Sequence, residues 1–304
     1  MSPNSLLKEA AIQILSGGSA GFVEVCIMHP LDVVKTRLQV QSAPVKVNDP
    51  NHYKGVFDCL AKMYKKEGFL AFYKGILPPI VAETPKRALK FVSFEQYKKL
   101  FLFGASSPTP LTLSMAGFCS GLTEGLFVNP FEVVKVTMQT NQQKAVVAPS
   151  TFQVSKQIIS TDGFGGRGLY RGVTATVLRN GVFNSIYFGY FYTITEYLSK
   201  LEDPVHEFLR RVCLGFSAGV FGSLANIPFD VVKSRIQGPQ PVKGEIKYKS
   251  CFQTMHTIYT EEGFRALYKG LVPKVMRLGP GGAILLICYE HVKEFLTEKF
   301  DEGL

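Results

Sequence analysis

A ten-residue motif occurs three times at a spacing near one hundred residues, and it restricts the fold more tightly than any other feature of the chain. It reads PLDVVKTRLQ at 30–39, PFEVVKVTMQ at 130–139 and PFDVVKSRIQ at 228–237. A period this long and this faithful decides architecture before any single residue does, because each copy is one unit that closes against its neighbours. Other landmarks keep the same register. Glycines stand thirteen and nine residues before each motif proline (Gly17/Gly21, Gly117/Gly121, Gly215/Gly219). Downstream come an acidic-Gly dipeptide and an aromatic-basic-Gly tripeptide: Glu67-Gly68 with Tyr73-Lys74-Gly75, Asp162-Gly163 with Tyr170-Arg171-Gly172, and Glu262-Gly263 with Tyr268-Lys269-Gly270. The chain therefore divides into units at 1–104, 105–201 and 202–304 of its 304 residues.

Each unit holds a mostly uncharged stretch before its proline motif and another after its aromatic-basic-Gly tripeptide, which predicts six membrane helices in one bundle. Segments such as 53–66 and 248–262 read as short amphipathic helices at the interface. The three GxxxG pairs are expected to let helix backbones approach closely in lipid. Composition agrees: hydrophobic residues make up 46% and charged residues 19%, with 24 Phe and 13 Tyr. The mean hydropathy is only +0.11, so the helices need a polar side and the bundle a wet interior.

Several function classes fall away on composition. The net charge of +10 comes with no basic run of five, which argues against nucleic acid and leaves anionic lipid or an anionic substrate. Six scattered cysteines without a CxxC pair argue against zinc and disulfides, and a reducing compartment suits them. Residues 1–9 show neither a secretory signal nor an Arg-rich presequence, so an internal targeting signal is expected. Gly163-Phe164-Gly165-Gly166-Arg167-Gly168 matches GxGxxG but follows no strand pattern, and no other catalytic motif is present, so neither an enzyme nor a cofactor or metal is expected. His29 and His291 read as structural. A scaffold without transport is the other class, but it has no need of charges inside apolar helices.

Within each proline motif the acid, the base and the glutamine share one helical face: Asp32/Lys35/Gln39, Glu132/Lys135/Gln139, Asp230/Lys233/Gln237. Charges in membrane helices are costly and normally face a cavity and a partner. Three copies around a pseudo-threefold axis would draw three acids and three bases together at one end, each base meeting the next unit's acid. Such a plug, if it forms and breaks, is a gate.

These motifs resemble the triplicated signature of the mitochondrial carrier family over nearly the whole chain. That resemblance implies an all-α membrane protein of six transmembrane helices in three pseudo-threefold repeats, each with a short matrix-side amphipathic helix, in the inner mitochondrial membrane. It implies alternating access between a matrix gate, formed by the charges above, and a cytoplasmic gate. The second gate's pattern is met by Glu95 with Lys98 and Glu290 with Lys293. Repeat two departs, with Phe191, Tyr192 and Thr195 at those offsets, which is expected to ease opening there; Thr137 likewise replaces a basic residue. The resemblance also implies cardiolipin at Lys74, Gly75, Arg171, Gly172, Lys269 and Gly270.

Seven residues after Gly75, Gly172 and Gly270 come Ala82, Arg179 and Arg277, which in resembling carriers face the substrate. Asn180 follows Arg179, and this pair resembles keto-acid carriers rather than nucleotide carriers. Repeat one adds Glu83, Arg87 and Lys90 on one face, and Glu24 and Glu124 precede their prolines by six residues. Cations on separate helices without equal compensating acids suit a small dicarboxylate, which Arg binds bidentately. Neither Arg179 nor Arg277 has an acid at helical spacing, whereas Arg87 and Lys90 have the structural alternative of pairing with Glu83 and Glu24. The runs GILPPIVAETPKRALKF, FNSIYFGYFY, IQGPQPVKGEIKY and KVMRLGPGGA resemble family members that exchange 2-oxodicarboxylates. That implies counter-exchange of 2-oxoadipate, 2-oxoglutarate and related C5–C7 acids, in support of lysine and tryptophan breakdown. Oxoglutarate/malate and citrate exchangers are the alternatives. Three repeats already close a bundle, so a monomer is expected.

Overall fold

The computed structural model describes residues 3–42, 52–102, 107–142, 149–198, 203–241 and 245–302. The repeat junctions read from the sequence, residues 1 and 2 of the N-terminal segment, and residues 242–244 lie outside these. Nine α-helices account for most of the described chain: α1 (Pro3–Val40), α2 (Val56–Glu67), α3 (Leu77–Leu100), α4 (Pro110–Thr140), α5 (Thr151–Asp162), α6 (Val173–Tyr197), α7 (Pro204–Gln237), α8 (Cys251–Glu262) and α9 (Leu271–Glu302). No strand occurs among the described residues. Each repeat is thus a long helix, a short helix and a second long helix.

The motif prolines Pro30, Pro130 and Pro228 lie inside α1, α4 and α7, which continue through them. Beyond each proline the side chains sort by face. The acid and base point to the bundle axis, while the valine pair between them packs outward. Val33 and Val34 meet Cys59, Met63 and Phe72 of the short helix and the 3-10 turn that follows it. Val133 and Val134 meet Val154 and Ile158, and Val231 and Val232 meet Cys251 and Ile258. Each short amphipathic helix is thereby fixed against the lower end of its own repeat.

The ring closes between repeats, with α3 against α4, α6 against α7 and α9 against α1. Apolar side chains such as Phe22, Ile27, Leu126, Phe221 and Ile287 face outward and are about half exposed, as a lipid-facing surface requires. By length and composition three helical stretches are apolar enough to cross a membrane: Pro110–Thr140, His206–Gln237 and Phe264–Lys299. In α1 and α3 the interior charges dilute the same signal.

The GxxxG expectation holds in repeat two alone. A Cβ on Gly117 would stand 2.6 Å from the Asn184 carbonyl oxygen, and one on Gly121 would stand 2.4 Å from that of Asn180, so α4 and α6 meet backbone to backbone. A Cβ on Gly17 would meet nothing within 4 Å, and on Gly21, Gly215 and Gly219 the nearest atoms would be 3.5–3.7 Å away. Repeats one and three are therefore splayed where repeat two is shut.

Candidate functional site

Three ion pairs close the lower end of the bundle. Lys135 Nζ lies 2.7 Å from Asp32, Lys233 Nζ 3.0 Å from Glu132, and Lys35 Nζ 2.5 Å from Asp230. The plug read from the motif is present, but its direction is the reverse of the expectation: each base reaches the preceding repeat's acid, in cyclic order. Spacing along one helix fixes which face a charge occupies, not which neighbour it meets.

The motif glutamines complete the same layer. Gln139 accepts from Thr36 at 2.7 Å, Gln39 accepts from Ser234 at 2.8 Å, and Gln237 donates to Asn129 at 3.0 Å. Each packs against an aromatic-basic-Gly glycine of the neighbouring repeat: Gly75 against Gln139, Gly172 against Gln237 and Gly270 against Gln39. Those glycines have φ of +70°, +69° and +82°, a left-handed conformation that other residues adopt only with strain. Glycine is thus needed there twice, for its backbone and for the room it leaves.

The basic residues beside those glycines turn toward protein. Lys74 donates to the Asn141 carbonyl at 2.9 Å, Arg171 to that of Gln237 at 2.5 Å and Lys269 to that of Gln41 at 3.0 Å, so each stitches its repeat to the end of the next. In repeats one and three the lysine also joins an acid clamp. Glu67 accepts from Arg37 and, at 2.5 Å, from Lys74; Glu262 accepts from Arg235 and, at 2.8 Å, from Lys269. Burial pushes both carboxyls up, but the hydrogen bonds to these cations outweigh it and hold them below the usual carboxylate range. Burial also lowers Lys74. The permanently charged arginines decide the direction for the acids. Repeat two has no such clamp among the described residues, because Thr137 stands where Arg37 and Arg235 do; Arg171 donates to its hydroxyl at 2.9 Å instead.

Above this charged layer lies a cavity of about 370 Å³ lined by charged residues of all three repeats. Arg179 and Arg277 both line it, but neither is free. Arg179 Nη2 donates to Glu132 at 2.8 Å and to Asn180 at 2.6 Å, and Arg277 donates to Asp32 at 2.8 Å and to Glu24 at 2.9 Å. The sequence showed no acid at helical spacing; the acids come from other helices. Arg87 pairs with Glu83 at 2.7 Å and Glu24 at 3.1 Å, which is the structural alternative for that residue. Lys90 pairs with no acid among the described residues. Its ammonium lies 5.2–5.8 Å from the ring centroids of Phe188, Tyr187 and Phe183, where cation–π attraction holds it.

Sequence reasoning missed Lys274, which donates to Asn226 and lies 3.3 Å from Asp230, and Lys86, 3.5 Å from Glu83. Lys274 has no counterpart at its position in the other repeats, so the repeat comparison that found Arg179 and Arg277 passes over it. Lys86 sits between Glu83 and Lys90 at helical spacing and was legible. Among the described residues that line this cavity and the charged layer below it, nine cations (Lys35, Lys86, Arg87, Lys90, Lys135, Arg179, Lys233, Lys274 and Arg277) face six carboxylates (Glu24, Asp32, Glu83, Glu124, Glu132 and Asp230).

The opposite end of the bundle is not closed by charge among the described residues. Lys98 pairs with Glu95 of its own helix at 2.6 Å, and Glu290 and Lys293 form no ion pair with any described residue. In repeat two Tyr192 belongs instead to an aromatic stack with Phe94 and Phe188, whose rings lie 4.0 Å apart and join α3 to α6.

The family model described as mitochondrial carrier protein matches residues 8–104, 106–202 and 205–300. A Homo sapiens protein named mitochondrial 2-oxodicarboxylate carrier is 55% identical over 296 residues, covering 97% of this chain and 98% of that one. The Saccharomyces cerevisiae mitochondrial 2-oxodicarboxylate carrier 2 is 39% identical over 293 residues, 94% of each chain. The Aspergillus niger mitochondrial citrate transporter D is 39% identical over 288 residues, 93% of each.

Proposed function

This chain belongs to the mitochondrial carrier family, and we propose that within it the protein exchanges 2-oxodicarboxylates, 2-oxoadipate and 2-oxoglutarate among them, across the inner mitochondrial membrane. It is a multi-pass transporter rather than an enzyme. The observation that carries the substrate reading is the excess of cations around the central cavity, with Arg179 and Arg277 set on different helices. A cavity with more cations than carboxylates favours an anion, and two guanidiniums apart favour one with a carboxylate at each end. The relatives at 55% identity support the same class.

With the proline-motif end on the matrix side, the gate of Asp32, Lys35, Glu132, Lys135, Asp230 and Lys233 is shut and the cavity opens toward the cytoplasmic side. An anion entering there first meets Lys90, then the two arginines below it. Asn180 and the Glu83/Arg87 pair shape the same cavity. Opening the lower gate then requires closure above, where Glu95, Lys98, Glu290 and Lys293 await partners across the bundle and repeat two contributes aromatic packing. The same reading assigns cardiolipin to the aromatic-basic-Gly turns. Because Lys74, Arg171 and Lys269 are committed to protein, Gly75, Gly172 and Gly270 would offer it backbone rather than side chains. Supply to lysine and tryptophan breakdown is the role this substrate class suits.

A citrate exchanger is the second reading, favoured by a third cation, Lys90, with no acid partner among the described residues, and by the citrate-named relative. Uptake of labelled 2-oxoglutarate into liposomes bearing the purified protein separates the two. Preloading with 2-oxoadipate or 2-oxoglutarate is expected to drive uptake. Uptake driven only by malate, citrate or ATP would keep the transporter and overturn the substrate.

A further inference from the structure

Repeat two lacks more than one residue of the clamp that the other repeats carry. In repeat one Arg37 donates to Glu67 at 2.8 Å and to the Tyr53 hydroxyl at 3.3 Å. In repeat three Arg235 donates to Glu262 at 2.9 Å and to the Tyr248 hydroxyl at 2.8 Å. At the same three positions repeat two has Thr137, Asp162 and Ala148, the last outside the described residues. Asp162 is one methylene shorter than either glutamate and is exposed, and it forms no ion pair with Arg171. A cavity of about 250 Å³ stands there, between the end of α4 and α5.

Arg171 lines that cavity as a cation short of an acid. Its counterparts Lys74 and Lys269 each hold a glutamate, at 2.5 and 2.8 Å. Arg171 uses Nη2 alone, donating to Thr137 and to the Gln237 carbonyl. Its Nε is buried with no hydrogen-bond partner, and no described residue accepts from Nη1. A buried charged donor without an acceptor is costly, so the site favours whatever supplies one. Lys74, already on Glu67, lines the same cavity, as does the exposed Gln157, whose side-chain amide no described residue engages. Asp162 is the one carboxylate among the lining residues. Two cations and an amide suit an anion that carries more than one charge and accepts from several sides, as phosphate does. We propose that this cavity is an oxyanion site, in which a water-borne phosphate takes the place of the glutamate that repeat two lacks and accepts from Arg171 Nη1.

The site shares no lining residue with the central cavity, and neither Gly75 nor Gly172 lines it. On the reading that the proline-motif end faces the matrix, it belongs to the matrix side and samples solutes there. Repeats one and three carry their counter-ion covalently; repeat two borrows one from solution. The stability of this end of repeat two then follows the oxyanion concentration around it.

Thermal melts of the purified protein in detergent test this, with phosphate replacing chloride at constant ionic strength. Wild type is expected to gain about 2–4 °C along a saturating curve that ends by about 20 mM phosphate. Gln157→Glu, at an exposed position, sets a carboxylate against the anion and should abolish the gain. Asp162→Asn removes a carboxylate and should lower the half-saturating concentration about twofold to fivefold. Thr137→Arg combined with Asp162→Glu rebuilds the clamp and should remove the response. No gain in wild type would overturn the site, and so would a linear gain equal in all variants, which is a bulk salt effect. A response lost in Arg277→Gln but kept in Gln157→Glu would place the phosphate in the central cavity and overturn it too. Stabilisation by added cardiolipin that Gln157→Glu removes, with none from phosphate, would give the cavity to a lipid headgroup instead. None of these readings depends on which acids the protein exchanges, so failure of the substrate proposal leaves them standing.

Discussion

Lys233 of repeat three reaches Glu132 of repeat two at 3.0 Å, and the same carboxylate accepts from Arg179 at 2.8 Å. One acid therefore serves two cations that approach from different layers. Neutralising it as Glu132→Gln leaves Lys233 without its acid and Arg179 with only the longer 3.5 Å contact to Asp230, and breaking buried pairs of this kind costs about 3–5 kcal/mol. A charge swap, Glu132→Lys with Lys233→Glu, restores the lower contact but sets the introduced ammonium against Arg179. We expect it to recover less than half of the lost unfolding midpoint in a thermal melt. Full recovery would show that Arg179 does not lean on this acid.

The glycines of α4 and α1 answer to different constraints although their motifs match. Gly121→Ala places a methyl 2.4 Å from the Asn180 carbonyl oxygen, a backbone atom that cannot swing aside. A loss of about 1–3 kcal/mol is expected, the usual cost of overpacking. Gly17→Ala meets open space in this conformation and should leave the melt within about 0.5 kcal/mol. Melting curves of the two variants side by side decide the matter.

Acid sensitivity that arises from the Glu67 and Glu262 clamps should be confined to two of the three repeats. The folded pKa values of Glu67 and Glu262 lie below the unfolded value of about 4.3, so their clamps stabilise the fold above that pH. That contribution is lost as the pH falls through the lowered folded values. Glu67→Gln and Glu262→Gln should each lower stability at pH 7 and flatten the loss on acidification. Asp162→Asn, in the repeat where Thr137 leaves no clamp, should do neither. Unfolding midpoints from pH 7 to pH 3 provide the comparison.

Two thiols should resist alkylation. Burial pushes Cys59 up to about 12 and Cys251 up to about 11, so almost no thiolate exists at neutral pH. Mass spectrometry of folded protein treated with iodoacetamide at pH 7.5 should find both unmodified, and both modified once the protein is denatured. Early labelling of Cys59 would mean that α2 detaches from α1.

The sequence carried the repeat, the helix count and the acid-base plug because each of these is a local pattern written three times. The Val33-Val34 pair shows how far such reading goes. Its alternation with Asp32 and Lys35 announces one outward and one inward face on the same turn, and the structure uses both faces that way. The basic residues Lys74, Arg171 and Lys269 show the limit. Their place in the motif was plain, but their commitment to carbonyls of the neighbouring repeat depends on how the repeats abut.

By itself, then, the sequence determined what each repeat is: two long helices, a short one between them, a charged face at a fixed turn, and glycine where the backbone must take a positive φ. Only the tertiary structure decided which repeat each charge meets. It set Lys35, Lys135 and Lys233 on the preceding repeat's acids, placed Arg179 and Arg277 on the free oxygens of those acids, and left Lys90 among aromatic rings. The physical reason is that periodicity fixes the direction of a side chain around its own helix axis. The partner depends on the tilt and order of six helices around a common axis, and no one helix contains that information.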